Sequence, residues 1–363
     1  MSDIGEIAQQ VPPKKAHSTR NAVLRGLLSL AVVGVIFFGV FPQIADFSEV
    51  WVQIKSMTPL ESSTVTLAAL WNLLTYLFVL VPCSPGLTYP KAFVVTQSTT
   101  AAANTFPAGA AVGIGMTYAM YTSWGFARAV AARAILVSGV WNNFAKLGLP
   151  VLALVLLAIQ GSASFARVMA GLFGIGALLG SIAIFALMLR SDRLAQRMGD
   201  GAARLVSRIR GVFRRPPVTG WGDAARAFRA DTIDLLRDAW LRLTVGAIVS
   251  QLSLYLLLLL VLRDLGVSER EVGWVEVLAS FAFVRLLTAL PVTPGGVGVV
   301  ELGLTAALVS AGGDRDSVVA AVLVFRALTY LLPIPVGVVT YVIWRRRKSW
   351  RKPIPGEEPA VRP

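Results

Sequence analysis

Apolar segments recur near residues 22–42, 63–82, 90–105, 108–123, 127–158, 165–189, 239–262, 272–290, 297–312 and 317–344. No other feature constrains the fold so strongly. A span needs roughly 20 apolar residues, and backbone in hydrocarbon must satisfy its own hydrogen bonds, which leaves helices or a closed barrel. Runs this long and this continuous are helical, not alternating. The mean hydropathy of +0.67 agrees. The chain therefore reads as an all-α polytopic membrane protein. Residues 22–41 are too long for a signal-peptide core and lack a small-residue cleavage site, so they read as a first retained helix.

Three segments, 90–105, 108–123 and 297–312, have only sixteen residues each. They fall in consecutive pairs around Pro107 and around Pro291 and Pro294. Each pair is either two crossing helices or one re-entrant hairpin, giving about 8 spans plus two broken pairs, or about 10 helices. Both options return the chain to the side it left.

Charge sets the orientation. Of the net charge of +14, residues 1–25 carry +2, residues 190–237 carry +6 and residues 345–363 carry +5. Basic loops stay cytoplasmic, so both termini and the Arg-rich middle segment are expected inside. Residues 44–62, 263–271 and 312–317 are acidic on balance and are expected outside. The chain divides into a basic tail (1–21), a first membrane half (22–189), a cytoplasmic linker (190–237), a second membrane half (238–344) and a second basic tail (345–363). In the linker, Leu194, Met198, Ala202, Leu205, Ile209 and Val212 recur at helical spacing, with Arg193, Arg197, Arg204 and Arg208 off that stripe. This is a basic amphipathic helix suited to the inner leaflet, or a solvated connector. Orientation and anionic headgroups account for the charge, so a nucleic-acid partner is not expected.

The two halves echo one another. Val112-Gly113 and Val297-Gly298 lie 185 residues apart, as do Pro150 and Pro335. The segment Phe106-Pro107-Ala108-Gly109-Ala110-Ala111-Val112-Gly113 reads as a degenerate copy of Pro291-Val292-Thr293-Pro294-Gly295-Gly296-Val297-Gly298. One copy begins outside and the other inside, so the repeat is expected to be inverted, as in transporters whose sites form between broken helices at midplane.

Chemistry narrows to few residues. One histidine (His17, in the tail) and one cysteine (Cys83) leave no metal cluster or disulfide. There is no Walker loop, dinucleotide fingerprint or nucleophile elbow, so no cofactor, no ATP-driven pumping and no covalent catalysis are expected. The intramembrane ionisable groups of the second half are Arg285, Glu301 and Arg326. A lone charge there is expensive, so Glu301 is expected to pair with one of the arginines. Such a pair either locks helices together or lines a substrate path. Pro294, Gly295, Gly296 and Gly298 break the helix just before Glu301. They either let a phosphate approach the free N–H groups of the half-helix or pack helices closely. Pro107, Gly109 and Asn104 are the corresponding candidates in the first half. Gln97, Ser98, Asn142, Asn143 and Lys146 are further polar candidates, whereas Arg128 and Arg133 read as snorkelling residues near the inner surface.

The string Leu290-Pro291-Val292-Thr293-Pro294-Gly295-Gly296-Val297-Gly298-Val299-Val300-Glu301, with Arg326 twenty-five residues later, resembles the signature of the lysylphosphatidylglycerol synthase transmembrane-region family, also called flippase-like membrane proteins. Gln97-Ser98-Thr99-Thr100 through Asn104-Thr105-Phe106-Pro107-Ala108-Gly109 is similar to the form in actinobacterial members. The resemblance covers roughly residues 22–345. The family's best understood members join this region to a soluble domain that aminoacylates phosphatidylglycerol, and the membrane region translocates the product. No soluble stretch here exceeds 190–237, so lipid aminoacylation is not expected of this chain. The resemblance implies a flippase-like protein of the bacterial plasma membrane that moves an anionic or polyprenyl-linked polar lipid. The alternatives are a non-transporting partner of an envelope-lipid enzyme and, third, a small-solute transporter. The oligomeric state is not legible.

Overall fold

The computed structural model describes residues 52, 55–106, 109–160, 165–212, 216–287 and 296–353. The first apolar segment, 22–42, and both tails beyond those bounds lie outside the described residues, as do Pro107, Pro294 and Gly295.

α1 (Pro59–Thr75) starts with a reciprocal cap: Thr58 N–H donates to Glu61 Oε2 at 2.7 Å, and Glu61 N–H donates to Thr58 Oγ1 at 3.3 Å. It runs almost straight into α2 (Leu77–Cys83), and the two together form one apolar rod of 25 residues. A short turn leads into α3 (Tyr89–Thr105), which opens with a proline in its first turn. α3 stops because Phe106 precedes a proline and adopts the extended backbone that such a position favours (φ −96°, ψ 144°). α4 (Gly109–Ser123) folds straight back along it. Gly109 permits that reversal: a Cβ there would lie 2.2 Å from the Ala103 carbonyl oxygen.

α5 (Arg128–Ile159) is a 32-residue rod, and α6 (Phe165–Arg190) follows. At Ser191 the chain bends by 120° into α7 (Asp192–Val212), whose first turn Ser191 caps through its hydroxyl. α8 (Trp221–Asp264) is 44 residues long and runs on from the linker expected at 190–237 into the following span. α9 (Trp274–Leu287) and α10 (Val299–Ser310) form the second short pair. α11 (Arg315–Arg326) then passes through a π-helical turn (Ala327–Leu331) into α12 (Pro333–Arg346). Among the described residues, four rods are long and apolar enough to cross a membrane: Pro59–Cys83, α5, α8 and Arg315–Arg346. A fifth is counted if the bent α6–α7 pair is one span. The chain is thus an all-α membrane protein with short paired helices between its rods.

α8 is shared by two buried clusters. Leu77, Leu80, Met120, Tyr121 and Val137 pack against Leu243 and Ala247 of α8. Nearer its C-terminal end, Leu257, Leu258 and Leu262 are buried, as are Leu278 and Phe281 of α9, Leu304 and Leu308 of α10, and Val318 to Val322 of α11. Large apolar side chains such as Leu152, Val155, Leu179, Ile184 and Val339 face outward instead, as hydrocarbon surroundings allow and water does not favour.

α7 differs from its sequence pattern. Its buried face carries Ala195 and Ala203, one position off the expected stripe, and Leu205 is exposed. The cause is close packing on the start of α8, where a Cβ on Gly199 would meet the Trp221 carbonyl oxygen at 2.3 Å. Small residues win that face because only they let the backbones approach.

Loops that the charge map assigns to one side also meet one another. Lys352 N–H donates to the Ser123 carbonyl at 3.1 Å, Trp344 Nε1 donates to Ser123 Oγ at 2.9 Å, and the Trp124 and Trp350 rings meet edge to face at 6.1 Å. Arg133 Nη1 donates to the Asp231 carbonyl at 3.3 Å. At the opposite ends of the rods, Asp264 lies within Coulombic reach of Glu61, and Gly312 lies against the Glu271 carbonyl.

Candidate functional site

Two left-handed glycines, Gly296 (φ 70°) and Gly298 (φ 83°), turn the chain into α10. Side chains rarely adopt that conformation, so glycine is required where the helix restarts. Glu301 occupies the first turn and is 1% exposed. Its Oε2 accepts the Gly298 N–H at 2.7 Å, and its Oε1 accepts from Arg326 Nε at 2.8 Å. The carboxylate thus caps its own helix, where free N–H groups and the helix dipole favour negative charge. The half-helix end that the sequence left open to a ligand phosphate already holds an anion from within.

Arg326 ends α11, where the helix loosens into the π turn. Such turns mark functional or strained places in many helices. Its guanidinium lies 4.7 Å from the centre of the Tyr330 ring, one helical turn on. The Tyr330 hydroxyl donates to the Asn104 carbonyl at 2.7 Å, and Asn104 Nδ2 returns a bond to the Tyr330 carbonyl at 3.1 Å. The end of α3 is therefore tied to the same assembly as Glu301. Further along α3, Ser98 and Thr340 share a hydrogen bond of 2.9 Å, and the Gln97 carbonyl sits where a Cβ on Gly337 would be, 2.4 Å away.

Arg285 meets a pair of amides. Its Nη2 donates to Gln251 Oε1 at 3.2 Å, and Gln251 Nε2 donates to Asn142 Oδ1 at 2.8 Å. Of the three charged candidates, the structure pairs Glu301 with Arg326. Gly296, Gly298, Gly109 and Asn104 all sit at the helix breaks. Pro294, Gly295 and Pro107 lie outside the described residues. Sequence reasoning missed Gln251 and Tyr330. Gln251 was detectable as the lone amide in the apolar run of α8. Tyr330 was detectable as an aromatic four residues after Arg326, hence on the same helical face.

A family model described as the lysylphosphatidylglycerol synthase TM region matches residues 26–337. The chain belongs to that family. No curated protein matches it. The match takes in both short pairs and ends within the Arg315–Arg346 rod, so the helix breaks around Gly109 and Gly298 lie within the family region. Among the described residues no cluster of His, Cys, Asp or Glu could hold a metal ion.

Proposed function

We propose that this member of the lysylphosphatidylglycerol synthase TM-region family is a non-enzymatic lipid translocase. It moves an anionic or polyprenyl-linked polar lipid between the leaflets of the bacterial plasma membrane, with both termini in the cytoplasm. The observation that carries this reading is Glu301. A carboxylate buried at a half-helix end, bonded to both Gly298 N–H and Arg326, sits where a headgroup phosphate would find the same donors. A phosphate arriving there competes with the carboxylate, and losing Arg326 frees α10 from α11. The pair therefore serves as a gate that an anionic headgroup opens. An inverted repeat supports alternating access. α5 and the α11–α12 rod each have 32 residues, each follows a short helix pair, and the preceding turns hold left-handed glycines at Gly125 and Gly312. The family's name, which refers to a lipid-modifying synthase, agrees with a lipid substrate.

The second reading is a non-transporting partner of an envelope-lipid enzyme. The exposed arginines of α7, Arg193, Arg197, Arg204 and Arg208, favour it as a docking surface.

Reconstitution separates the two. Liposomes holding the purified protein are expected to exchange fluorescent phosphatidylglycerol between leaflets faster than protein-free liposomes. The double variant Glu301→Gln/Arg326→Gln, which removes both charges together and so strands neither, is expected to fold and to lose the acceleration. Wild-type exchange in the double variant sinks the gate. No exchange by the natural protein with any anionic or polyprenyl lipid moves the assignment to the docking partner.

A further inference from the structure

α12 commits one of its sides to the rest of the protein. Gly337 presses on Ala101 and on the Gln97 carbonyl of α3, Thr340 bonds to Ser98 at 2.9 Å, and Trp344 Nε1 donates to Ser123 Oγ at 2.9 Å. These three recur at spacings of three and four, so they share a face of the helix. The opposite side carries a groove of about 410 Å³ lined by Val338, Val339, Val342, Ile343, Arg346 and Arg347. All six are exposed.

The groove is built in register. Val338, Val342 and Arg346 lie four residues apart in turn, and so do Val339, Ile343 and Arg347. Two apolar rows therefore run side by side, each ending in a guanidinium. From Val338 to Arg347 the rows cover nine residues, roughly 14 Å of helix. That is about half of a hydrocarbon core of roughly 30 Å, hence one leaflet. The charge map places the arginine end in the cytoplasm.

Hydrocarbon accounts for the valines and Ile343. The arginines need more. Neither forms an ion pair among the described residues. Arg347 is nevertheless held in place, with its guanidinium 4.9 Å from the centre of the Trp350 ring, which meets Trp124 edge to face. A loose snorkelling side chain has no such brace.

We propose that this groove binds an anionic phospholipid of the inner leaflet, with an acyl chain along the two rows and the phosphate between Arg346 and Arg347. Guanidinium forks match phosphate oxygens. A headgroup of the phosphatidylglycerol kind leaves its negative charge to the arginines, whereas phosphatidylcholine brings its own cation and is held less well. Through Trp350 and Trp124 the bound lipid also braces α12 against the turn between α4 and α5. No residue of the Glu301 assembly lines the groove, so the inference stands apart from the proposed translocation and adds a resident lipid to the molecule.

Binding titrations on the full-length protein in neutral detergent test it. The probes are short-chain phosphatidylglycerol, short-chain phosphatidylcholine and, as the soluble arm, glycerophosphoglycerol. Phosphatidylglycerol is expected to bind tightest. Arg346→Gln/Arg347→Gln is expected to weaken it about tenfold, to the level of phosphatidylcholine, without lowering the lipid-free melting temperature. Val339→Gln/Val342→Gln is expected to weaken both lipids alike, because it spoils the acyl rows and spares the charges. Arg237→Gln/Arg242→Gln, which removes two exposed cations from α8, is expected to change neither. Undiminished phosphatidylglycerol affinity in the α12 arginine variant overturns the site. An equal loss in the α8 variant replaces it with diffuse basic charge. Glycerophosphoglycerol binding as tight as phosphatidylglycerol overturns the groove in favour of a free phosphate compound. These outcomes are read without transport, so a protein that exchanges no lipid can still hold one here.

Discussion

Glu301 does the work of two residues. It caps α10 and neutralises Arg326, and both bonds run from one carboxylate at 2.7 and 2.8 Å. Removing one partner of a buried pair leaves the other charge uncompensated, which costs about 3–5 kcal/mol. Glu301→Gln alone is therefore expected to lower the melting temperature in detergent sharply, with Glu301→Gln/Arg326→Gln recovering most of the loss. Equal losses in the single and double variants would show that the two charges are not coupled. Asp314 offers a milder test outside the membrane. Its carboxylate caps α11 by accepting the Ser317 N–H at 3.1 Å, and that bond holds it below the usual carboxylate range. A depressed folded value means stability that is full above the unfolded value of about 3.9 and fades as pH falls through the folded one. Asp314→Ala should cost about 1 kcal/mol at neutral pH, and the difference from wild type should vanish in acid, read as a pH series of thermal melts. At this scale the sequence named Glu301, Arg326 and Arg285 as charges that need partners. It did not say which arginine Glu301 takes, because that depends on how α9 and α11 are rotated against α10.

The elements divide into rods and broken pairs for reasons visible in their residues. Proline, glycine and small polar residues interrupt the short pairs, and long Leu- and Val-rich runs build the rods. Contacts between rods rely on small residues at chosen points. A Cβ on Gly337 would lie 2.3 Å from Ala101 Cβ, and one on Gly246 would lie 2.5 Å from the Phe78 carbonyl oxygen. Gly337→Ala and Gly246→Ala must therefore push α12 off α3 and α8 off α2, each at a cost of about 1–3 kcal/mol. Gly139 in α5 has nothing within 4 Å of such a Cβ. Gly139→Ala should leave stability unchanged or raise it by about 0.5–1 kcal/mol, since it removes backbone freedom from a helix. Melting temperatures of the three variants in one detergent decide the matter, and a loss at Gly139 matching that at Gly337 refutes the packing argument. The sequence marks all three as glycines in apolar helices. Only the packed structure separates the two that touch backbone or side chain from the one that faces open space.

The whole molecule joins its two halves through α8 and through the α3–α12 contact, so the broken pairs are not independent. Its sidedness is open to a direct test. Cys83 is buried, so a Cys83→Ser background is expected to be silent to membrane-impermeant thiol reagents and to fold normally. Cysteines placed at Asp314 or Glu269 should label from outside intact cells, and cysteines at Val218 or Trp350 only after permeabilisation. The reverse pattern would invert the topology and move the basic loops outside, against the charge rule.

Composition and local pattern alone determined that this chain crosses a membrane as helices, where those helices break, and which side chains are costly in hydrocarbon. Each of these is a property of a short stretch against its solvent: twenty apolar residues, a proline or glycine among them, a charge without water. The family resemblance was legible for the same reason, since the Pro-Gly-Gly to Glu301 string is continuous. Tertiary structure alone decided which groups meet. It turned the Glu301 carboxylate back onto its own helix and joined Asn104 to Tyr330 across 226 residues. It set α7 down on its small face and joined Arg285 to Asn142 through Gln251. Those pairings depend on the depth and rotation of helices far apart in the chain, which no local stretch encodes.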